Sequence, residues 1–393
     1  MNYIKLGEIC NIKSSKRIYQ SEYCEKGIPF YRGKEISQLQ RGEDIEVELF
    51  ISKERFKEIR EKYGVINKGD LLITSVGTIG NTWVSDGREF YYKDGNITQI
   101  EKNDSINTKF ISYLFKSDIV KKQYLKGTSG TAQIALTIEK LNKLQIPKID
   151  LRIQNKIVEV LDKAQELIDK RKAQIEALDE LVKSQFIEMF GTIQSTTFEI
   201  QTLNEICEFI KDGTHQTPTY TDDKVNGFKF ISSKDVTSGK IDWSNIKYIP
   251  KELHEDLYAR IAPKRNDILL AKNGTTGVCA IVETDDIFDI YVSVALLRFK
   301  TGYNSKYLWA AINSIDCKRQ FDRSLKGVGV PNLHLGEIKK TKIIVPPIEL
   351  QNQFASFVKQ VDKLKFEMQE SLKALEDNFN SLMQRSFKGE LFK

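Results

Sequence analysis

Three histidines, five cysteines and a few adjacent acidic pairs are the side chains of this 393-residue chain that could hold a metal or move a proton. His215, His254 and His334 are scattered, and His254-Glu255 lacks the second histidine that a zinc-protease helix carries one turn further on. The cysteines (Cys10, Cys24, Cys207, Cys279, Cys317) form no C-x-x-C pair and are odd in number. That predicts free thiols in a reducing cytoplasm, with neither a disulfide framework nor a zinc site. Asp222-Asp223 and Asp285-Asp286 read as solvated turns, where Asp bonds its own backbone, rather than as nuclease metal ligands. No G-x-x-x-x-G-K-[ST] phosphate loop is present. The expectation is therefore a chain with no catalytic residue, no metal and no cofactor of its own.

The elements that must position any other chemistry are two long helices. Residues 152–190 contain no Gly or Pro, and Leu161, Ile168, Ile175, Val182 and Met189 recur at sevens beside a second row of Ile157, Ala164 and Leu178. At ~1.5 Å per residue such a helix runs roughly 55 Å. A stripe of that length needs a partner, and 351–388 supplies it: Phe354, Val361, Met368, Leu375 and Leu382 recur at sevens, flanked by Val358, Leu372 and Phe379. Positions 157, 164, 178 and 354, 361, 375 differ by 197, so one element is used twice in register. Residues 151–190 carry seven Lys/Arg against eight Asp/Glu, and 351–390 carry six against six. The net charge of +6 therefore lies outside the helices, as expected of mildly basic modules that meet phosphates.

What precedes each helix also repeats. Leu6-Gly7-Glu8-Ile9-Cys10 matches Leu203-Asn204-Glu205-Ile206-Cys207, and the aromatic run Ile28-Pro29-Phe30-Tyr31 before a basic turn matches Phe228-Lys229-Phe230-Ile231. Gly69-Asp70-Leu71-Leu72-Ile73, then Gly77-Thr78-Ile79-Gly80, match Asn266-Asp267-Ile268-Leu269-Leu270, then Gly274-Thr275-Thr276-Gly277. A helix is expected near Thr108–Leu125, and Ile146-Pro147 and Val345-Pro346-Pro347 close the two modules. A period near 200 is too long for a solenoid and indicates duplication of a whole domain with its helix. The framework matches while the loops differ: Thr74-Ser75-Val76 stands against Ala271-Lys272-Asn273, and Arg32-Gly33 against Ser232-Ser233. The expected fold is α+β: two similar α/β domains separated by two long antiparallel coiled-coil helices, with pseudo-two-fold symmetry. The expected boundaries are 1–150, 151–191, 192–350 and 351–393. An antiparallel pair would place the modules at opposite ends of a rod, a spacing compatible with half-sites ~34–36 Å apart on duplex DNA.

In this order, and twice, these features resemble the specificity (S) subunits of type I restriction–modification systems. The junctions Gln154-Asn155-Lys156-Ile157 and Gln351-Asn352-Gln353-Phe354, the loop Gly127-Thr128-Ser129-Gly130-Thr131-Ala132-Gln133 and the end Phe387-Lys388-Gly389-Glu390-Leu391-Phe392 carry the resemblance with the glycine turns. It covers essentially the whole chain. The resemblance implies a non-catalytic subunit whose domains each read one half of a bipartite double-stranded DNA target. The helices would set the gap and dock two adenine-methylating (M) subunits that carry S-adenosylmethionine. A restriction (R) subunit would add ATP and Mg-dependent cleavage. All eight prolines follow Ile, Thr, Ala, Val or Pro, so the Asn/Asp-Pro-Pro-aromatic loop of an amino-methyltransferase is missing from this chain.

Candidate DNA contacts are the polar loop residues able to meet phosphates or base edges. In the first module they are Lys13, Lys16, Arg17, Arg32, Lys34, Ser75, Thr78, Lys126, Thr128 and Gln133; in the second, His215, Gln216, Ser232, Lys234, Lys272, Asn273, Thr275, Lys326 and Asn332. The rival readings are a coiled-coil adaptor that touches only protein and a stand-alone DNA-binding or nuclease component. No run approaches the ~18–20 apolar residues of a membrane span, and the start lacks the basic-then-apolar layout of a signal peptide, so a cytoplasmic protein is expected.

Overall fold

The computed structural model describes residues 2–125, 135–236, 239–325 and 331–391. The chain divides into two compact units, Met1–Lys172 with Glu370–Lys393, and Ala173–Gln369. Each unit takes one module and a part of each long helix. No helix among the described residues is long and apolar enough to cross a membrane.

In the first unit a four-stranded antiparallel sheet runs in the order Ile12–Lys13, Ile97–Ile100, Leu71–Thr74, Thr82–Val84. Its central strand is a continuous apolar run, Leu71-Leu72-Ile73, fully buried because both faces of the sheet are covered. Gln99 and Asp70 enter this core as partners. Gln99 donates from Nε2 to Asp70 Oδ2 at 2.8 Å and accepts from the Tyr92 hydroxyl at 3.0 Å. A second sheet holds Tyr23–Cys24, Phe50–Ile51, Ile28–Tyr31 and Tyr91–Tyr92, the last pair parallel.

The second unit repeats this plan. Its four-stranded sheet is Cys207–Asp212, Val294–Phe299, Ile268–Ala271, Cys279–Ile281, and its smaller sheet is Lys247–Ile249, Phe228–Ile231, Phe288–Ile290. Asp267 takes the place of Asp70 at the start of the central strand. Each carboxylate accepts from the amide three residues earlier (Asn67 and Lys264, at 2.8 and 2.7 Å). In the second unit its partner is the half-buried Arg298, at 2.7 and 2.9 Å, in place of Gln99.

Two sequence expectations need correction. The helix expected near Thr108–Leu125 is two helices, Thr108–Lys116 and Asp118–Leu125. Ser117 adopts an extended backbone between them, and its amide and hydroxyl both bond the Leu114 carbonyl, which closes the first helix. The turn expected after the first aromatic strand is instead a helix, Gly33–Gln40; the Glu35 carboxylate accepts from the Arg32 amide and so caps its first turn.

The long helices are Leu151–Phe190 and Ile348–Phe387, 40 residues each. In the first unit Ile157, Leu161 and Ile168 share one core with Phe379, Met383 and Phe387. In the second unit Phe186 meets Phe354 at 5.6 Å, and about two to three turns along Asp179 meets Lys365 at 2.6 Å. Residue numbers rise on one helix as they fall on the other, so the pair is antiparallel. The heptad rows form only part of the seam. The ends of each helix turn aromatic residues onto a module as well: Phe387 packs on Phe110 at 5.4 Å, and Phe190 on Tyr307 at 5.0 Å.

A polar clamp joins each module to the start of a long helix. Asn107 caps the helix that begins at Thr108, its amide donates to Gln154 Oε1 at 2.9 Å, and its side chain donates to Asn155 at 2.8 Å. Asn304 does the same with Gln351 (3.0 Å) and Asn352 (2.8 Å). Gln154 and Gln351 are buried and spend their own amide protons on the carbonyls of Ile149 and Pro346. The repeated Gln-Asn pair is thus the joint between module and helix.

Candidate nucleic-acid interface

The central strand of each main sheet ends in the same glycine turn. Gly77 and Gly80 have φ of +80° and +82°, and Gly274 and Gly277 have +74° and +83°, a region that costs any other residue. The backbone bonds coincide: Gly80 to Thr74 and Gly277 to Ala271, each 2.9 Å. Gly77 and Gly274 face open space, whereas a side chain at Gly80 or Gly277 would strike Tyr124 or Phe321. The glycines make the turn, and Thr78 and Thr275 are displayed on it, exposed.

Around this turn the first module collects Arg32, Lys34 and Thr78. Arg32 bonds Glu35 at 3.0 Å and Glu48 at 2.7 Å; Lys34 bonds Glu48 at 2.6 Å. Lys34 first and Arg32 second hold the exposed Glu48 carboxyl down at about 2. The Thr78 hydroxyl lies 3.1 Å from Ser37, whose hydroxyl also accepts from Asn81 at 2.9 Å. Lys13 pairs with Glu101, Arg17 with Asp94 at 2.8 Å, and Lys16 lies 5.5 Å from the centre of the Tyr63 ring. Ser75 is buried, its hydroxyl 2.7 Å from that of Thr98, and serves the interior. Lys126, Thr128 and Gln133, with the loop that carries them, lie outside the described residues, as does Lys326.

In the second module four sequence-selected residues line one hollow of about 560 Å³: His215, Lys272, Asn273 and Asn332, together with Asp212 and His334. Asn273 and Asn332 face each other across an isolated antiparallel bridge. Lys272 is buried and donates to Asp212 Oδ2 at 2.6 Å. His215 Nε2 and Arg260 approach the same carboxylate at 3.5 and 3.7 Å. Gln216 and Lys234 are exposed. Ser232 is turned inward, its amide and hydroxyl both donating to Asp235 at 2.8 Å. Elsewhere in this module His254 Nδ1 lies 2.7 Å from Asp289 beneath the Phe228 ring, and burial pushes the Asp289 carboxyl up to about 6 against the opposing bond from His254.

The two modules differ most sharply at one backbone position. Ser75 and Lys272 have superposable main-chain bonds: their amides donate to Asn96 and Ser293, and their carbonyls accept from Leu136 and Leu333. Ser75 meets Thr98 there, whereas Lys272 meets Asp212. The position equivalent to Thr98 is Ala295, whose small side chain leaves room for Asp212 across the strand pair. Asp212 and His334 escaped selection from sequence because the partner of Asp212, Lys272, lies sixty residues away and His334 joins them only by lining the same hollow. The offset of 197, followed from Thr98 to Ala295, was the signal that could have led to them.

Residues 1–177 and 196–376 each match the family described as type I restriction modification DNA specificity domain. A putative type I restriction enzyme specificity subunit of Haemophilus influenzae, S.HindORF215P, is 34% identical over 166 residues, 42% of this chain and 40% of that protein. The EcoBI specificity subunit of Escherichia coli is 26% identical over 43% of this chain and 37% of its own length. The chain thus matches well under half the length of either. The MjaIX specificity subunit of Methanocaldococcus jannaschii is 23% identical over 94% of this chain and 88% of that one. Among solved structures, one concerned with complex assembly and conformational transition of the type I R-M system contains a similar chain (TM-score 0.62, 16% identity, 99% and 98% covered). The S subunit of such a system from M. genitalium is similar at TM-score 0.52, with 15% identity and 98% and 96% covered.

Proposed function

Because the chain belongs to the family of type I restriction modification DNA specificity domains, which it contains twice, we propose that it is the non-catalytic DNA-specificity subunit of a type I restriction–modification complex. Each module reads one half of a bipartite duplex target, and the paired helices set the gap between halves. The observation that carries this reading is one scaffold built twice with different polar side chains at superposable positions, Ser75–Thr98 against Lys272–Asp212. Duplication alone makes a symmetric binder; divergence of the polar side chains on a shared scaffold makes a reader of two unlike sequences.

Contact with DNA is assigned to cations and polar tips. These are the exposed Lys16, Arg17, Lys34 and Thr78 and the half-exposed Lys13 and Arg32 on the first module, and the exposed His215, Gln216, Lys234 and Thr275 and the half-exposed Asn273 and Asn332 on the second, with Lys126, Thr128, Gln133 and Lys326 of the sequence outside the described residues. Phosphate contacts fix register and base contacts give the sequence. Adenine-methylating M subunits dock on the helices, where Leu167, Leu181, Ile187, Leu364 and Phe366 leave apolar surface exposed. S-adenosylmethionine belongs to those partners, and ATP and Mg²⁺ to a restriction subunit where one is present. The five free thiols fit a cytoplasmic site of action.

The test is a map of methylated adenines in the source genome before and after deletion of this chain. A split, asymmetric motif that vanishes on deletion supports the reading. Methylation or cleavage by the purified chain alone contradicts it, and an unaltered map favours a protein-only adaptor.

A further inference from the structure

Lys272 is 5% exposed, yet its ammonium makes a single hydrogen bond among the described residues, to Asp212. An ammonium has three protons to donate. The other two have no bond among the described residues, and the side chain lines the hollow together with Asn273, Asn332, His215 and His334. Asp212, itself buried, holds the ammonium in place.

The hollow selects among the chemical groups a duplex can offer. Phosphate would gain little from an ammonium already paired with a carboxylate 2.6 Å away, and would meet that carboxylate's charge. Phosphate is also common to every sequence, so a contact to it should appear in both modules. At the same backbone position the first module has only the neutral Ser75–Thr98 hydroxyl pair. A neutral edge of acceptors suffers no such repulsion, and in the major groove guanine presents one, N7 with O6, the usual partner of Lys or Arg.

Resting on the function proposed above, the geometry points to Lys272 as a specificity-determining residue. Positioned by Asp212, it donates to N7 and O6 of a guanine in the half-site read by the second module. Asn273 and Asn332 flank that base pair. The first module reads no guanine through the equivalent place.

The test replaces both charges together, Asp212→Ser with Lys272→Ser, so that no unpaired charge is left buried. The adenine-methylation map of the source strain carrying this variant is compared with that of the wild type, and a thermal melt of the full chain checks folding. The expected result is an intact first half-site and gap, with one guanine position of the second half relaxed by about 5- to 150-fold in discrimination. A second variant, Asp212→Asn with Lys272→Gln, should move that position towards adenine, which Gln reads through N6 and N7. An unchanged second half-site in both variants would overturn the assignment. So would an even loss of methylation at all sites without a change of base, which marks a phosphate contact or a purely structural ion pair. A wild type with no split motif dependent on this chain would overturn the functional reading first, and this inference with it.

Discussion

Substituting Gln351 by Ala tests whether the module is locked to its helix by two hydrogen bonds. The Gln351 side chain is 1% exposed; Oε1 accepts from the Asn304 amide at 3.0 Å, and Nε2 donates to the Pro346 carbonyl at 2.9 Å. Removing it orphans both groups, each at a cost of about 1–3 kcal/mol. Asn304 is half-exposed, so water can replace the lost acceptor and the lower figure applies; Pro346 is buried, and its carbonyl takes the middle of the range. The expected loss is about 3 kcal/mol, or roughly 6–12 °C in Tm for a unit of this size. Asn352→Ala removes only an exposed bond and should cost less than about 1 kcal/mol. Urea unfolding gives the free energies, and hydrogen exchange should show the Asn304 amide exchanging faster in the Gln351 variant alone. Equal costs for the two substitutions, within about 0.5 kcal/mol, would refute the clamp.

Glu48→Gln releases Arg32 and Lys34 from their shared carboxylate and should tighten DNA binding several-fold, with a steeper salt dependence in titrations of the full chain; unchanged binding would show that these cations do not face DNA. Asp289 has its carboxyl raised to about 6 in the folded protein from an ordinary value of 3.8. The stability it contributes is therefore present in acid and is lost as pH rises through 6. Unfolding free energy should fall between about pH 4 and pH 6.5 in the wild type and stay flatter in Asp289→Asn, as measured by urea titration. Inserting four residues into both long helices, ~6 Å each, should lengthen the gap of the methylated motif by roughly one to two base pairs; an unchanged gap would reject the spacer role.

The repeat was legible because duplication keeps framework residues at a constant offset, and Gln154-Asn155 against Gln351-Asn352 showed it before their role as a clamp was visible. The heptad rows identified the long helices and Ile157, Leu161, Ile168 and Leu178 among their buried residues. They missed Phe186, Phe190 and Phe387, because periodicity reports which face is covered, not what covers it. Ser75 and Lys272 read as loop tips in a polar, turn-forming stretch, and only tertiary pairing with Thr98 and Asp212 turns them inward. Arg32 and Lys34 read as free cations, since Glu48, which neutralises them, lies across a helix and a loop.

A module exchange asks most directly whether each module reads its own half of the target. Residues 1–150 are replaced by the equivalent segment of a relative that directs a different motif, and methylated adenines are sequenced in the recipient. One half of the motif should change to the donor's while the other half and the gap stay as they were. A motif that changes in both halves, or in neither, would contradict such a division.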